Sequence, residues 1–178
     1  IENLVNEFSN FARMPKPVLK NNNLTLLIKE NIKLLSEVDK SISIELIKYD
    51  NDILFLSDKE QISRVFFNFL KNSIESIQEK SLNNIEFRKK ITVEILTDNN
   101  QTNIVIIDNG IGFALMENKI KDILNPYFTT KKKGTGLGLS IVNKIINDHN
   151  GVIKFVPMPD GAKIMINFNL NDNRNSNS

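Results

Sequence analysis

Two asparagines, Asn68 and Asn72, stand one helical turn apart in "FFNFLKNSIES", and Glu75 and Glu79 continue the same spacing. The four residues fall at i, i+4, i+7 and i+11, so a helix would line them up on one stripe beside the apolar stripe of Ile62, Val65, Phe66, Phe69 and Leu70. Spacing alone fits a solvated polar face. The residue types also fit a second use, because an amide oxygen is a neutral, hard ligand suited to magnesium beside a phosphate.

Two further stretches could do chemistry. In "IDNGIGF", Asp108 is expected to end a strand and Gly110 and Gly112 bracket Ile111. Asp-Asn-Gly is ordinary turn chemistry. The glycines would also let backbone press against a flat ring while the Asp108 carboxylate accepts a hydrogen bond from an exocyclic amine. In "PYFTTKKKGTGLGLSIV", Gly134, Gly136 and Gly138 precede a helix and can offer unhindered N–H groups and a positive helix end to phosphates. No G-x-x-x-x-G-K-[ST] occurs, and an irregular segment rather than a strand comes before, so this is neither a P-loop nor a dinucleotide-binding turn. Lys131, Lys132 and Lys133 form a run that would by default be solvated but lies beside the glycines. Residues 113–133 exceed the usual loop length, as functional lids do.

The elements that must position these residues follow from periodicity. Leu4, Phe8 and Phe11 share a helical face that ends by Pro15. Pro15, Pro17 and "KNNN" at 20–23 are expected to form a linker. A helix is predicted over 24–38, strands over 41–47 and 53–57 around a "YDND" turn, and a helix over 58–80 with Asp58 as N-cap and Gln61 completing a capping box. "KITVEIL" and "TNIVIID" predict a hairpin around "DNNQ". A helix then runs to Asn150-Gly151, and strands over 152–156 and 162–169 close the fold. The polar end, 171–178, is expected to be disordered. Helices mixed with mostly hairpin-connected strands define an α+β chain with helices layered on one sheet face.

Composition narrows the partners. The 178 residues fit one domain plus a small appendage, and no apolar run reaches the roughly 18 residues that span a bilayer. Twenty-three basic and 21 acidic side chains leave a net charge of +2, which argues against a nucleic-acid partner. The absence of cysteine excludes disulfides, thiol catalysis and thiolate-bound metals. The chain opens at Ile1 with neither a methionine nor a signal-peptide pattern, which is expected of a piece of a longer protein.

In this order and spacing the three stretches resemble the nucleotide-binding domain of sensor histidine kinases, within the wider family that includes gyrase, Hsp90 and MutL. "NFLKNSIES" is similar to the family's N box, "DNGIGF" to its first glycine box, "PYFTT" to its phenylalanine box and "GTGLGLSIV" to its second glycine box. The resemblance covers 24–170. "EFSNFARMPKP" further resembles the segment after the dimerisation helices of the nitrogen-regulation, NtrY-like branch.

The resemblance implies a two-layer α/β sandwich of the Bergerat type, with a mixed, mostly antiparallel sheet and a long ATP lid. It divides the chain into the end of a dimerisation helix (1–14), a linker (15–23), the catalytic ATP-binding domain (24–170) and a tail (171–178). ATP and Mg2+ are the implied cofactors. Asn72 would bind magnesium with Asn68 and Glu75 in support, and Asp108 would take the adenine amine in a pocket shaped by Gly110 and Gly112. Phe128 would anchor the lid, and Thr130, Lys131, Gly134, Thr135, Gly136, Leu137 and Gly138 would meet the phosphates.

One departure is that many relatives carry a hydroxyl near the start of the last strand, where Ala162 and Lys163 stand here. In gyrase-like relatives a glutamate one turn before the metal asparagine activates water. Asn68 holds that position and cannot take the proton, which favours a kinase.

The only histidine, His149, lacks the H-E-x-x-x-P context of a phosphoacceptor and is given a plain capping or surface role. The acceptor would then lie outside this chain, on the dimerisation domain of the same kinase. A response regulator would be the next partner, and the parent is expected to be a homodimer in the bacterial inner membrane with this domain in the cytoplasm. A non-catalytic nucleotide sensor and an anti-sigma-type serine kinase are the competing readings.

Overall fold

A computed structural model describes residues 14–82, 86–112, 122–129 and 136–170. The expected N-terminal helix, most of the expected lid and the expected disordered tail lie outside the described residues.

Helix α1 (Leu24–Ser36) starts where Asn23 Oδ1 accepts the Leu26 N–H at 3.0 Å, and it buries Leu24, Leu27, Ile28, Asn31 and Leu35 on one face. Helix α2 (Lys59–Ser81) is capped by Asp58, whose Oδ1 accepts from both Glu60 N and Gln61 N at 3.0 Å. Its buried stripe, Ile62, Val65, Phe66, Phe69, Leu70, Ser73, Ile74 and Ile77, keeps helical spacing for four turns. Helix α3 (Gly138–Asp148) buries Ile141, Val142, Ile145 and Ile146. Asn31 Nδ2 reaches Ser63 Oγ at 2.9 Å and ties α1 to α2.

The helices cover one face of a five-stranded sheet ordered β2-β4-β5-β7-β6, comprising β2 (Ser43–Tyr49), β4 (Lys90–Asp98), β5 (Gln101–Asp108), β7 (Ala162–Asn169) and β6 (Gly151–Pro157). Only β2 and β4 run parallel, so the sheet is mixed and mostly antiparallel, as the resemblance implies. Alternation sets the buried face: Ile91, Val93 and Ile95 on β4, Ile104 and Ile106 on β5, and Ile164, Ile166 and Phe168 on β7. The β4–β5 hairpin turns on Asn99 (φ 47°) and Asn100 (φ 62°), the two left-handed residues that a tight hairpin demands.

Three expectations are corrected here. Lys20–Asn23, expected as linker, is strand β1 and pairs antiparallel with β3 (Leu54–Ser57) as a separate two-stranded sheet. Backbone pairing, with Asn22 Nδ2 donating to the Ser57 carbonyl at 2.7 Å, overrides the turn preference of a run of asparagines. Gln61 does not complete a capping box, because its Nε2 donates to the Pro15 carbonyl at 3.1 Å.

The Asp58 N–H that such a box would satisfy is instead accepted by His149 Nε2 at 3.0 Å. Of the capping or surface role expected for His149, the capping half holds, since it is the C-cap of α3, and the surface half does not. His149 is buried, and its Nδ1 lies 2.8 Å from the Ile145 carbonyl, which fixes the neutral tautomer with the proton on Nδ1. Burial lowers its pKa from the ordinary value, against the opposing pull of Ile145, Asp58 and Asp148.

Candidate nucleotide site

Strand β5 ends at Asp108 in the middle of the sheet, between Ile91 of β4 and Ala162 of β7. The carboxylate is 4% exposed. Ser73 Oγ of α2 donates to Oδ2 at 2.9 Å, and the Gly110 N–H donates to Oδ1 at 3.0 Å. Burial pushes the Asp108 carboxyl above its ordinary pKa, while the Gly110 N–H, the Ser73 hydroxyl and the Lys80 charge pull the other way. A lone buried carboxylate with both oxygens fixed and lone pairs to spare is an acceptor prepared for a donor such as an exocyclic amine.

The turn after Asp108 lies hard against α2. A Cβ at Gly110 would sit 2.2 Å from Ser76 Oγ and 2.7 Å from the Ser76 backbone, so only glycine fits. The next residue, Ile111, donates its N–H to Ser76 Oγ at 3.0 Å. Gly112 follows against the Gly161 carbonyl, and Gly161 in turn packs on the Asp108 backbone. Lys80 Nζ donates to the Asn109 carbonyl at 2.9 Å, pairs with Asp160 and lies 4.6 Å from the Phe87 ring centroid. Asn109 accepts the Lys90 N–H on Oδ1 at 2.9 Å and donates to the Arg88 carbonyl at 2.6 Å.

The other glycine motif meets α2 further toward its N-terminus. A Cβ on Gly138, the first residue of α3, would lie 3.3 Å from Asn68 Oδ1, while Asn68 Nδ2 donates back to the Arg64 carbonyl at 2.8 Å. Gly136 adopts φ +71° and packs on the Tyr127 backbone, whose N–H donates to the Gly136 carbonyl at 3.0 Å. Leu137 puts its side chain in the core, so only its backbone can face a ligand. Phe128 is partly buried against the same core.

Asn72 is half-buried between the two ends, and Glu75, also half-buried, stands 3.9 Å from Lys71. Eight residues separate Asn68 from Ser76, an axial distance of about 12 Å at 1.5 Å per residue. Thus α2 joins Asp108, Gly110 and Gly112 at one end to Gly136, Leu137 and Gly138 at the other. Thr130, Lys131, Gly134 and Thr135 lie outside the described residues.

Sequence reasoning missed Ser73, Ser76, Lys80, Asp160 and Gly161. The first three share one face of α2 at i, i+3 and i+7, a spacing that was there to be used. Among the described residues, no group of three or more His, Asp or Glu could hold a metal, and no helix is long and apolar enough to cross a membrane.

A mixed sheet lies under one helical layer, with a buried acceptor at one end of a shared helix and a glycine-opened helix start at the other. The family described as histidine kinase-, DNA gyrase B- and HSP90-like ATPases matches residues 57–172, and the chain belongs to that family. Among curated relatives, it is 33% identical over 174 residues to the nitrogen regulation protein NtrY of Azorhizobium caulinodans, covering 96% of this chain and 22% of that protein. It is 34% identical over 176 residues to a putative NtrY-like sensor histidine kinase of Rickettsia prowazekii, covering 97% and 28%. The chain thus spans about a quarter of these relatives' length. Its fold superposes with a TM-score of 0.71 and 26% identity on the nucleotide-free catalytic domain of the histidine kinase ThkA, covering 85% of this chain and 95% of that one.

Proposed function

We propose that this chain is the catalytic ATP-binding domain of a two-component sensor histidine kinase of the NtrY-like kind. The observation that carries the reading is α2 itself, which meets the buried Asp108 carboxylate through Ser73 and the start of α3 through Asn68. Asp108 takes the adenine amine, and the Gly110 and Gly112 turn lies along the base. The backbone at Gly136 to Gly138 offers its N–H groups to the phosphates, a role the sequence also gives to Thr130, Lys131, Gly134 and Thr135.

Magnesium fits the donor set. This ion keeps most of its shell as water and phosphate oxygen and needs only one or two hard protein ligands, which the half-buried Asn72 amide, with Asn68 and Glu75 near it, can supply. When bound, Mg2+ neutralises charge on the transferring phosphoryl group.

Asn68 offers no base to activate water, so the nucleophile comes from elsewhere. A ring nitrogen of a histidine on a dimerisation domain attacks the γ-phosphorus, the bond to the β-bridging oxygen breaks, and ADP leaves. His149 cannot be that acceptor, because both of its ring nitrogens are committed inside the core. Residues 1–14 would then end the dimerisation helix, the residues before β1 would link it to the domain, which starts with that strand, and a response regulator would receive the phosphoryl group. The parent would be a dimer. Mixing the chain with a separate dimerisation domain and MgATP tests this: acid-labile phosphohistidine on that domain is expected, and ATP binding without transfer to any such domain would leave a nucleotide sensor instead.

A further inference from the structure

We infer that Ser73 and Lys80 of α2 are positioning residues that fix the Asp108 carboxylate as the acceptor for a base's exocyclic amine. The inference rests on the nucleotide-site reading above. Two other helical serines spend their hydroxyls on the preceding turn: Ser36 Oγ donates to the Ile32 carbonyl and Ser81 Oγ to the Ile77 carbonyl, each at 2.8 Å. Ser73, equally free to do so, instead donates to a carboxylate 35 residues away, at a site where it is 2% exposed. Strand β7 offers Ala162 beside Asp108, so no hydroxyl comes from that side, and α2 supplies it.

Lys80 completes the hold. Its stem is largely buried, and its ammonium bridges the Asn109 carbonyl and Asp160, so one charge staples the turn after Asp108 to the turn before β7. On β4 and β7 the neighbours of Asp108 are the uncharged Ile91 and Ala162, and Asp160 is paired with Lys80. Among the described residues, Lys80 is therefore the charge that favours the carboxylate form. A protonated Asp108 would place an O–H where the amine must donate, so the two residues should act on affinity through the ionisation of Asp108 as well as its direction.

The test is calorimetric titration of the chain with ADP and with inosine diphosphate, which lacks the amine, between pH 5 and 8. Ser73→Ala removes only the hydroxyl, and alanine keeps the helix. Its ADP affinity at pH 7 should fall about tenfold, the size of one hydrogen bond to a charged group, while inosine diphosphate binding stays put. In Ser73→Ala and Lys80→Met alike, the acid limb of ADP affinity should move to higher pH, and Lys80→Arg should restore it. A parental ADP-to-inosine ratio and pH profile in Ser73→Ala would overturn the inference, as would an equal loss for both nucleotides.

Asp108→Asn separates the two levels. If it keeps the parental ratio, the adenine reading itself fails and this inference with it. If it collapses the ratio while Ser73→Ala and Lys80→Met do not, only this inference fails.

Discussion

Asp108 carries the greatest demand placed on any one side chain, being 4% exposed in a site that favours neutralisation. Replacing its carboxylate by an amide puts a donor opposite a donor, at a cost of about 1 to 3 kcal/mol or more. Asp108→Asn should therefore lose most ATP affinity while remaining folded, and an unchanged titration would remove the residue from the site. Asn72→Ala should fold normally but bind nucleotide equally well with magnesium and with a chelator; a retained dependence would acquit Asn72 as a ligand.

Thr102 tests the packing account rather than the site. It is fully buried on β5, and its hydroxyl finds no partner among the described residues, so the isosteric Thr102→Val should raise stability by about 1 kcal/mol in thermal unfolding. That Asp108 ends a strand was legible in the sequence, because the alternating run before it stops at a turn-forming Asn-Gly pair; that its carboxylate is buried was not. The shared face of Ser73, Ser76 and Lys80 was legible, but only the fold reveals that the Ser73 hydroxyl goes to Asp108 rather than to its own backbone.

At the scale of elements, α2 and α3 are joined by a contact that no local pattern announces, the Asp58 N–H bond to His149 across 91 residues. Periodicity placed both helices within a residue or two, yet the sequence pattern supplied Gln61 as partner for the Asp58 N–H, and the long-range acceptor displaced it. Because His149 is held neutral below its ordinary value of 6.5, the unfolded chain takes up the proton first as pH falls. Its contribution to stability is complete above 6.5 and is lost as pH drops through that window toward the folded value.

Asp108, with its raised pKa, acts in the opposite sense, so the comparison must be made against a variant that keeps Asp108. His149→Ala should be less stable at pH 7.5, by about 1 to 3 kcal/mol for the unsatisfied N–H alone. The gap to the parent should then narrow as pH falls from 6.5 toward 5 in urea unfolding. A constant gap would mean that the imidazole titrates alike in the folded and unfolded chains, so that the fold does not hold it neutral.

For the whole molecule, the five-stranded sheet was legible as a set of strands but not as an order, since β2 pairs in parallel with β4 and β3 leaves to join β1. Alternating hydrophobicity tells which face a strand buries, whereas its neighbour is decided by connections that a one-dimensional pattern does not encode. The site depends on that order, because β5 must lie centrally for Asp108 to end beneath α2.

The central claim, that α2 spans an adenine acceptor and a phosphate end, is tested most directly by calorimetric titration of the parent chain with ATP and GTP, each with magnesium and with a chelator. ATP should bind at least about tenfold tighter than GTP, which presents a carbonyl where Asp108 needs a donor, and the chelator should weaken ATP binding. Equal affinities for the two nucleotides, unaffected by magnesium, would contradict the account.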